Sequence, residues 1–145
     1  MIFDTHAHYD DEDFDGDRQA LLEDLSGAGV RAVTNIGASL SSSRATLELA
    51  ARYPWMYAAI GVHPSDTGEL SEDGIGWLRE AAAGEKVVAI GEIGLDYYWE
   101  EPEHEVQKKW FSRQLALAGE LKLPVVIHSR DAARDTLDMM KAECA

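Results

Sequence analysis

The chain has 145 residues, of which 46% are hydrophobic and 28% charged, and its 27 acidic residues outnumber its 13 basic ones, so the formal net charge is −14. Because non-specific affinity for nucleic acid comes mainly from Lys and Arg side chains that neutralise phosphates, this balance argues against binding DNA through a broad basic surface. A nucleic-acid substrate would be engaged locally, through metal ions and a few basic groups. No run approaches the roughly 20 apolar residues of a membrane-spanning helix, and the chain opens without a basic segment followed by an apolar one. Its single cysteine, Cys144, cannot form an internal disulfide, so nothing calls for an oxidising compartment. Together these features predict a cytoplasmic protein that does not associate with membranes.

Hydrophobic periodicity, caps and breakers predict five strands that alternate with five helices. The strands are predicted at about residues 2–6, 30–36, 56–62, 87–92 and from Pro124 onward. The first helix contains Leu21, Leu22 and Leu25, the second begins at a cap among Ser41–Ser43, and the third begins at Ser71. The fourth and fifth helices cover about residues 103–121 and 131–141. Such βα units with apolar strands predict a parallel sheet covered by helices.

Residues that can bind metals follow three of these strands. The first strand runs into His6-Ala7-His8, the fourth into Gly91-Glu92, and the fifth into His128. An ionised Glu at the end of a buried strand costs several kcal/mol unless it is paired, hydrogen-bonded or bound to a cation. Two positions apart on a strand, His6 and His8 project from the same face. A metal site shared by the strand ends is therefore predicted.

Two architectures suit this pattern: an open doubly wound sheet, or a (β/α) barrel of eight units. Neighbouring strands lie about 4.8 Å apart, so the ends of strands one, four and five reach one ion in an open sheet only if those strands are neighbours. Side chains at the rim of a barrel converge on its axis. The pattern favours a TIM-type (β/α) barrel of which residues 1–145 supply about the first five units, as the N-terminal portion of a single domain, and the sequence looks truncated.

Four segments resemble, in order, the motifs of the TatD-type metal-dependent deoxyribonuclease family, within the broader amidohydrolase group. They are Asp4–His8, Gly61–Pro64, Gly91–Tyr97 and Ile127–Ala132. The resemblance implies a TIM-type barrel that cleaves phosphodiester bonds of DNA with divalent metals, in which the positions of His6, His8, Glu92 and His128 are metal ligands. It also implies a further His and Asp on later strands, beyond this sequence.

The predicted mechanism places two metal ions beside a phosphodiester bond, with Glu92 as the catalytic carboxylate that bridges them. Imidazole and carboxylate ligands suit Zn, Mn or Fe, whereas the family points to Mg or Mn. Single-stranded DNA or DNA ends are the expected substrate, and a completed barrel is expected to be monomeric. Loss of one ligand or its support costs 10- to 100-fold or more in affinity or activity, so residues 1–145 alone are expected to be inactive or nearly so.

Four further residues are predicted to bind substrate, and each has a structural alternative. Arg130 would hold a phosphate, or form a surface ion pair with Asp131 or Asp135. The others, with packing or turn formation as alternatives, are His63, Asp96 and Tyr97.

Three more interpretations stay open. Trp99 either stacks on a base or packs. Asp10 either supports the metal site or belongs to a solvated acidic loop over residues 10–17. The competing functions are a related metallohydrolase that acts on a small phosphoester or amide, and a non-catalytic barrel fragment. Some relatives of the first kind use a modified lysine on strand four as the bridging ligand, but here Glu92 ends that strand and Lys86 precedes it.

Overall fold

The structure is a computed structural model that describes residues 1–143, so Cys144 lies outside the described residues. The strands are β1 Ile2–Ala7, β2 Val30–Ile36, β3 Met56–Ile60, β4 Val87–Asp96 and β5 Val125–Arg130. The helices are α1 Arg18–Asp24, α2 Leu40–Arg52, α3 Glu72–Ala81, α4 His104–Leu121 and α5 Ala133–Glu143. The predicted alternation of five strands with five helices is confirmed. Two short 3-10 turns, Glu12–Phe14 and Pro64–Glu69, were not predicted.

All five strands form one parallel sheet in the order β1-β2-β3-β4-β5. A doubly wound sheet reverses its strand order at a switch point, whereas sequential order around the sheet is that of a (β/α) barrel. The predicted fold class is therefore confirmed: the chain forms a curled half-barrel of five βα units. Consecutive parallel pairing also brings all the carboxyl ends of the strands to one rim.

Three predicted boundaries were wrong. Strand β4 continues four residues past Glu92 because its end pairs with β5, where Gly94 lies opposite His128. Strand β3 ends at Ile60, since the amide of Val62 donates to the Gln114 side chain (2.8 Å) instead of to a strand. Helix α2 is capped by Ser39, whose hydroxyl accepts from the amide of Ser42 (3.0 Å), and not by a serine within 41–43.

The core lies between strands β2, β3 and β4 and the helices that cover them. Ile75 and Leu78 on α3 and Phe111 and Leu117 on α4 are fully buried. Strands β3 and β4 are buried along most of their length, whereas β1 and β5 are more exposed, with Phe3 at 56%. Among residues 1–143, no helix is long and apolar enough to cross a membrane.

Candidate metal centre

Three of the four predicted metal ligands converge at the rim. His6 lies near the end of β1, His8 just beyond it, and Glu92 in the middle of β4. The Nε2 atoms of His6 and His8 are 3.2 Å apart, and Glu92 Oε2 lies 3.4 Å from the first and 3.6 Å from the second. Glu92 is buried, with 9% of its surface exposed. Three potential ligand atoms therefore face a common point.

The backbone fixes the tautomer of one of these rings. His8 Nδ1 lies 2.8 Å from the carbonyl oxygen of Ile36 at the end of β2. A carbonyl only accepts hydrogen bonds, so Nδ1 carries a proton, and when the ring carries only that proton, Nε2 presents its lone pair to Glu92. Unless His6 Nε2 carries a proton and donates it, these three atoms repel one another when no cation lies between them. Imidazole nitrogens with a carboxylate oxygen suit a divalent transition metal, so these residues fit a metal ion.

A second group shares the same carboxylate. Ligand atoms of His63, Glu92 and His128 lie within 4.8 Å of one another. His128 Nδ1 is 3.2 Å from Glu92 Oε1, the oxygen that does not approach His6 and His8. Glu92 thus directs one oxygen to each group, which is the geometry of a carboxylate that can bridge two cations.

The carboxylate of Asp96 orients the His128 ring through the ring nitrogen that does not face Glu92. Asp96 Oδ2 lies 2.9 Å from His128 Nε2, and Asp96 is only 3% exposed. When Nε2 of the neutral ring donates to this carboxylate, the lone pair of Nδ1 points toward Glu92. Histidine ligands of metals commonly donate their other ring N–H to a carboxylate in this way. Asp96, predicted as a substrate contact, contacts His128 Nε2 in the structure.

Glycines allow strands β4 and β5 to approach closely at this position. Gly94 has φ +148°, and a Cβ placed there would lie 1.9 Å from the carbonyl oxygen of His128. A Cβ on Gly91 would lie 2.5 Å from Cβ of Val126. Only glycine fits at either position without displacing β5. The glycines that flank Glu92 therefore set its distance from His128.

His63 belongs to the second group and lies beside His128. It precedes the 3-10 turn Pro64–Glu69, and its Nδ1 accepts from the amide of Ser65 (3.1 Å). Its ring packs edge-on against that of His128, with centroids 4.1 Å apart. Burial, aided by the neighbouring His128, lowers the pKa of His63 to about 4. The ring is therefore neutral at pH 7, and with Nδ1 as acceptor its proton lies on Nε2.

The loop after His8 is anchored by a network of polar side chains. Asp10 accepts from the Asn35 amide (2.8 Å) and from the Ser42 hydroxyl (2.5 Å). Asn35 accepts in turn from the amide of Tyr9 (2.6 Å). This network ties the loop to β2 and α2 and limits movement of His8, which fits the supporting alternative for Asp10. Its partners Asn35 and Ser42 were missed by sequence reasoning, although an Asn inside the apolar run of a predicted strand is a signal for such a network; in the structure Asn35 is fully buried.

Tyr97 is directed toward α5. Its hydroxyl donates to the Asp135 carboxylate (2.7 Å), and its ring stacks on His104 at a centroid distance of 3.9 Å. Burial together with the hydrogen bond to Asp135 raises the pKa of Tyr97 to about 12. Lys108 lies 3.1 Å from the same carboxylate. Asp135 is therefore already paired, and Arg130 instead places its guanidinium 3.8 Å from the centroid of the Tyr98 ring.

An open cleft of about 700 Å³ lies beside His8 and Glu92. His8, His63 and Glu92 line it together with four more acids, Asp10, Asp11, Glu12 and Asp66. Burial raises the pKa of Asp66 above its usual value. Such a cleft attracts cations and repels anions, so an anionic substrate would enter it only with cations bound.

Comparison with known proteins points to one family. The sequence profile of the TatD related DNase family matches residues 3–145. The chain is 41% identical over 145 residues to the uncharacterized metal-dependent hydrolase YabD of Bacillus subtilis. The alignment covers 100% of this chain and 57% of that relative. It is 37% identical over 131 residues to a protein named 3′-5′ ssDNA/RNA exonuclease TatD from Cronobacter sakazakii, with coverage of 90% and 50%.

Solved structures agree with the sequence matches. The crystal structure of YjjV, a TatD homologue from Escherichia coli, superposes with a TM-score of 0.90 at 35% identity and covers 98% of this chain and 56% of that one. A TatD family hydrolase from Entamoeba histolytica gives a TM-score of 0.87 at 25% identity, with coverage of 99% and 54%. The chain spans about half the length of the curated relatives it matches.

Proposed function

The chain belongs to the TatD related DNase family, and from this premise we propose that it supplies part of a divalent-metal-dependent hydrolase that cleaves phosphodiester bonds of DNA. Residues 1–145 would form the N-terminal portion of a single barrel domain. The proposed substrate is single-stranded DNA or the ends of DNA. The name of the Cronobacter relative, a 3′-5′ ssDNA/RNA exonuclease, supports a single-stranded nucleic acid.

The observation that carries the proposal is that Glu92 is shared between two groups of potential ligands. One oxygen faces His6 and His8, and the other faces His128. We propose that these four residues hold two divalent cations, Mg or Mn, with Zn as the alternative that imidazole ligands allow. A pair of divalent cations supplies Lewis-acid polarisation of a phosphoryl oxygen and activation of water.

The remaining residues would bind and orient the substrate. Arg130, exposed at the end of β5, can form paired hydrogen bonds to a phosphate. His63, with its proton on Nε2, can donate to a phosphate oxygen in the cleft. Asp96 would keep the lone pair of His128 Nδ1 directed at the site, and the network around Asp10 would hold His8. Tyr97 would fix the rim by its bond to Asp135.

The competing function, hydrolysis of an amide or small phosphoester with a modified lysine as bridging ligand, has less support. The ammonium of Lys86 donates to the carbonyls of Pro54 (2.6 Å) and Met56 (3.1 Å). Those carbonyls lie at the amino ends of the strands, and the candidate ligands lie at the opposite rim. Lys86 is thus a structural residue of the sheet's other end.

A cleavage assay tests the proposed function. Residues 1–145 and the longest polypeptide encoded in the same reading frame are each incubated with 5′-labelled single-stranded DNA in Mg²⁺ or Mn²⁺, with and without excess chelator. We expect metal-dependent cleavage by the longer polypeptide and a loss of at least about 100-fold in Glu92→Gln, since even the supporting partners of metal ligands are worth 10- to 100-fold. Glu72→Gln, an exposed carboxylate paired with Arg113, is the matched control and should cleave normally.

The result that contradicts the proposal is equal turnover in chelator or in Glu92→Gln. Hydrolysis of a small phosphodiester such as bis(p-nitrophenyl) phosphate without any cleavage of DNA would favour the competing function. Cleavage by residues 1–145 at the rate of the longer polypeptide would disprove the expectation that this portion alone is inactive.

A further inference from the structure

Two adjacent aromatic side chains at the rim are exposed to an unusual degree. Tyr98 is 55% exposed and Trp99 54%, although aromatic side chains normally bury most of their 150–250 Å². Their rings pack edge to face, with centroids 4.8 Å apart. The structure thus favours an accessible Trp99 over the packing alternative, and a ligand could cover these faces.

The aromatic pair is attached to the candidate metal centre through one carboxylate. Oδ1 of Asp96 accepts from the amide of Tyr98 (3.1 Å), while Oδ2 faces His128 (2.9 Å). The guanidinium of Arg130 lies 3.8 Å from the centroid of Tyr98, and the Arg130 carbonyl accepts from the amide of Tyr97 (2.9 Å). The position of the rings is therefore coupled to that of the ligand His128.

The cleft beside the rings opens next to the site. It has a volume of about 540 Å³ and is lined by Ser65, Tyr98, Trp99, Glu100 and Glu101. Ser65 also lines the larger cleft that contains Glu92. A strand of nucleic acid with one end at the metal centre can therefore reach the aromatic pair.

The charges around the rings indicate which part of the substrate contacts them. Glu100 and Glu101 would repel a phosphate, but they can accept hydrogen bonds from the amino groups of a base. Arg130, beside Tyr98, provides a cation for a neighbouring phosphate. Every nucleobase has a π-face, so stacking on aromatic side chains binds single strands with little dependence on sequence.

We propose that Trp99, held edge to face by Tyr98, forms a stacking platform for one unpaired nucleobase of the substrate, an inference that rests on the proposed function. The platform would bind the base next to the phosphate held by Arg130. It gives an acidic protein affinity for a single strand without a basic surface, and it disfavours paired bases, whose faces are covered by their neighbours in the duplex.

Binding measurements with and without bases test the platform. The probe is a short fluorescent single-stranded oligonucleotide with phosphorothioate linkages. Its abasic counterpart carries the same backbone charge. Fluorescence anisotropy of each probe is measured in Mg²⁺ with the polypeptide used in the cleavage assay. Trp99→Ala should weaken binding of the normal probe by roughly 5- to 150-fold, the range for one stacked base. Trp99→Phe should restore most of the affinity. Leu137→Ala, which shortens another exposed apolar side chain (51%) on α5, should leave binding unchanged.

The abasic probe separates base contacts from backbone contacts. It should bind the unmodified protein weakly, and Trp99→Ala should not weaken it further. An equal loss for both probes, or no loss for either, would refute the platform. If binding is unaffected by Trp99→Ala while metal-dependent cleavage persists, the platform alone is wrong; if the polypeptide neither binds nor cleaves DNA, the proposed function is wrong as well.

Discussion

Replacement of Glu92 by Gln distinguishes a metal ligand from a structural ion pair. Without a cation, the buried carboxylate of Glu92 faces the lone pair of His8 Nε2, and this contact lowers the free energy of unfolding. A Gln side chain has nearly the same shape, and its amide can donate to that nitrogen. In cation-free buffer, we therefore expect the melting temperature of Glu92→Gln to equal or exceed that of the unmodified protein.

Added cation should reverse the order of the two melting temperatures. A cation at 100 times its dissociation constant stabilises the folded state by about 2.7 kcal/mol. For a chain of 145 residues, unfolding entropies of about 2.1 cal/mol/K per residue convert this to about 9 °C. If Glu92→Gln weakens binding about 100-fold, the same concentration stabilises the variant by only about 0.4 kcal/mol, or about 1 °C.

Differential scanning fluorimetry over a titration of Mn²⁺ and Mg²⁺ measures both effects. Glu72→Gln removes a carboxylate of the same size from an exposed pair with Arg113 and should keep the full cation-induced shift. The reasoning is refuted if Glu92→Gln is clearly destabilised in cation-free buffer. That outcome would mean that Glu92 pairs with protonated histidines, because breaking a buried ion pair costs about 3–5 kcal/mol. A cation-induced shift that survives in the variant would likewise exclude Glu92 as a ligand.

Three further substitutions test neighbouring parts of the rim. Arg130→Ala should raise the KM for DNA while it leaves the cation-induced melting shift unchanged; a reduced shift would reassign Arg130 to support of the metals. Asp96→Asn should weaken cation binding about 10- to 100-fold, measured by calorimetric titration, and unchanged affinity would show that His128 needs no orienting carboxylate. Gly94→Ala should destabilise the fold by about 4 kcal/mol or more in urea unfolding, because its Cβ would meet the His128 carbonyl; Gly76→Ala on α3, where a Cβ meets nothing within 4 Å, is the control and should be neutral or stabilising.

Strand-end chemistry was predictable because it depends on local sequence alone. A run of apolar residues predicts a strand, and polar residues that follow the run are expected near the rim of a barrel, although Glu92 lies within β4 rather than at its end. His6, His8, Glu92 and His128 could be proposed in this way before their distances were known. The βα repeat alone allowed a doubly wound sheet as well as a barrel, and the barrel was favoured because its rim brings the ends of several strands together.

What the sequence did not reveal depends on contacts between distant elements. Whether Asp96 contacts substrate or His128 depends on the register of β4 against β5, and β4 proved longer than its apolar run suggested. Which serine caps α2 depends on the backbone of Ser39, which is extended there. The exposure of Trp99 could not be read from its type, because aromatic residues are usually buried.

The candidate metal ligands are held in place by contacts that do not require a cation. His8 is fixed by the Ile36 carbonyl, and His128 by Asp96. The glycines around Glu92 let β4 and β5 pack at a distance that no side chain permits. The free energy needed to gather the ligands thus comes from the folded barrel core. A cation that enters finds its ligands already placed, so little of its binding energy is spent on ordering them. Affinity for the cation should therefore depend on the rigidity of the rim as much as on the ligands themselves.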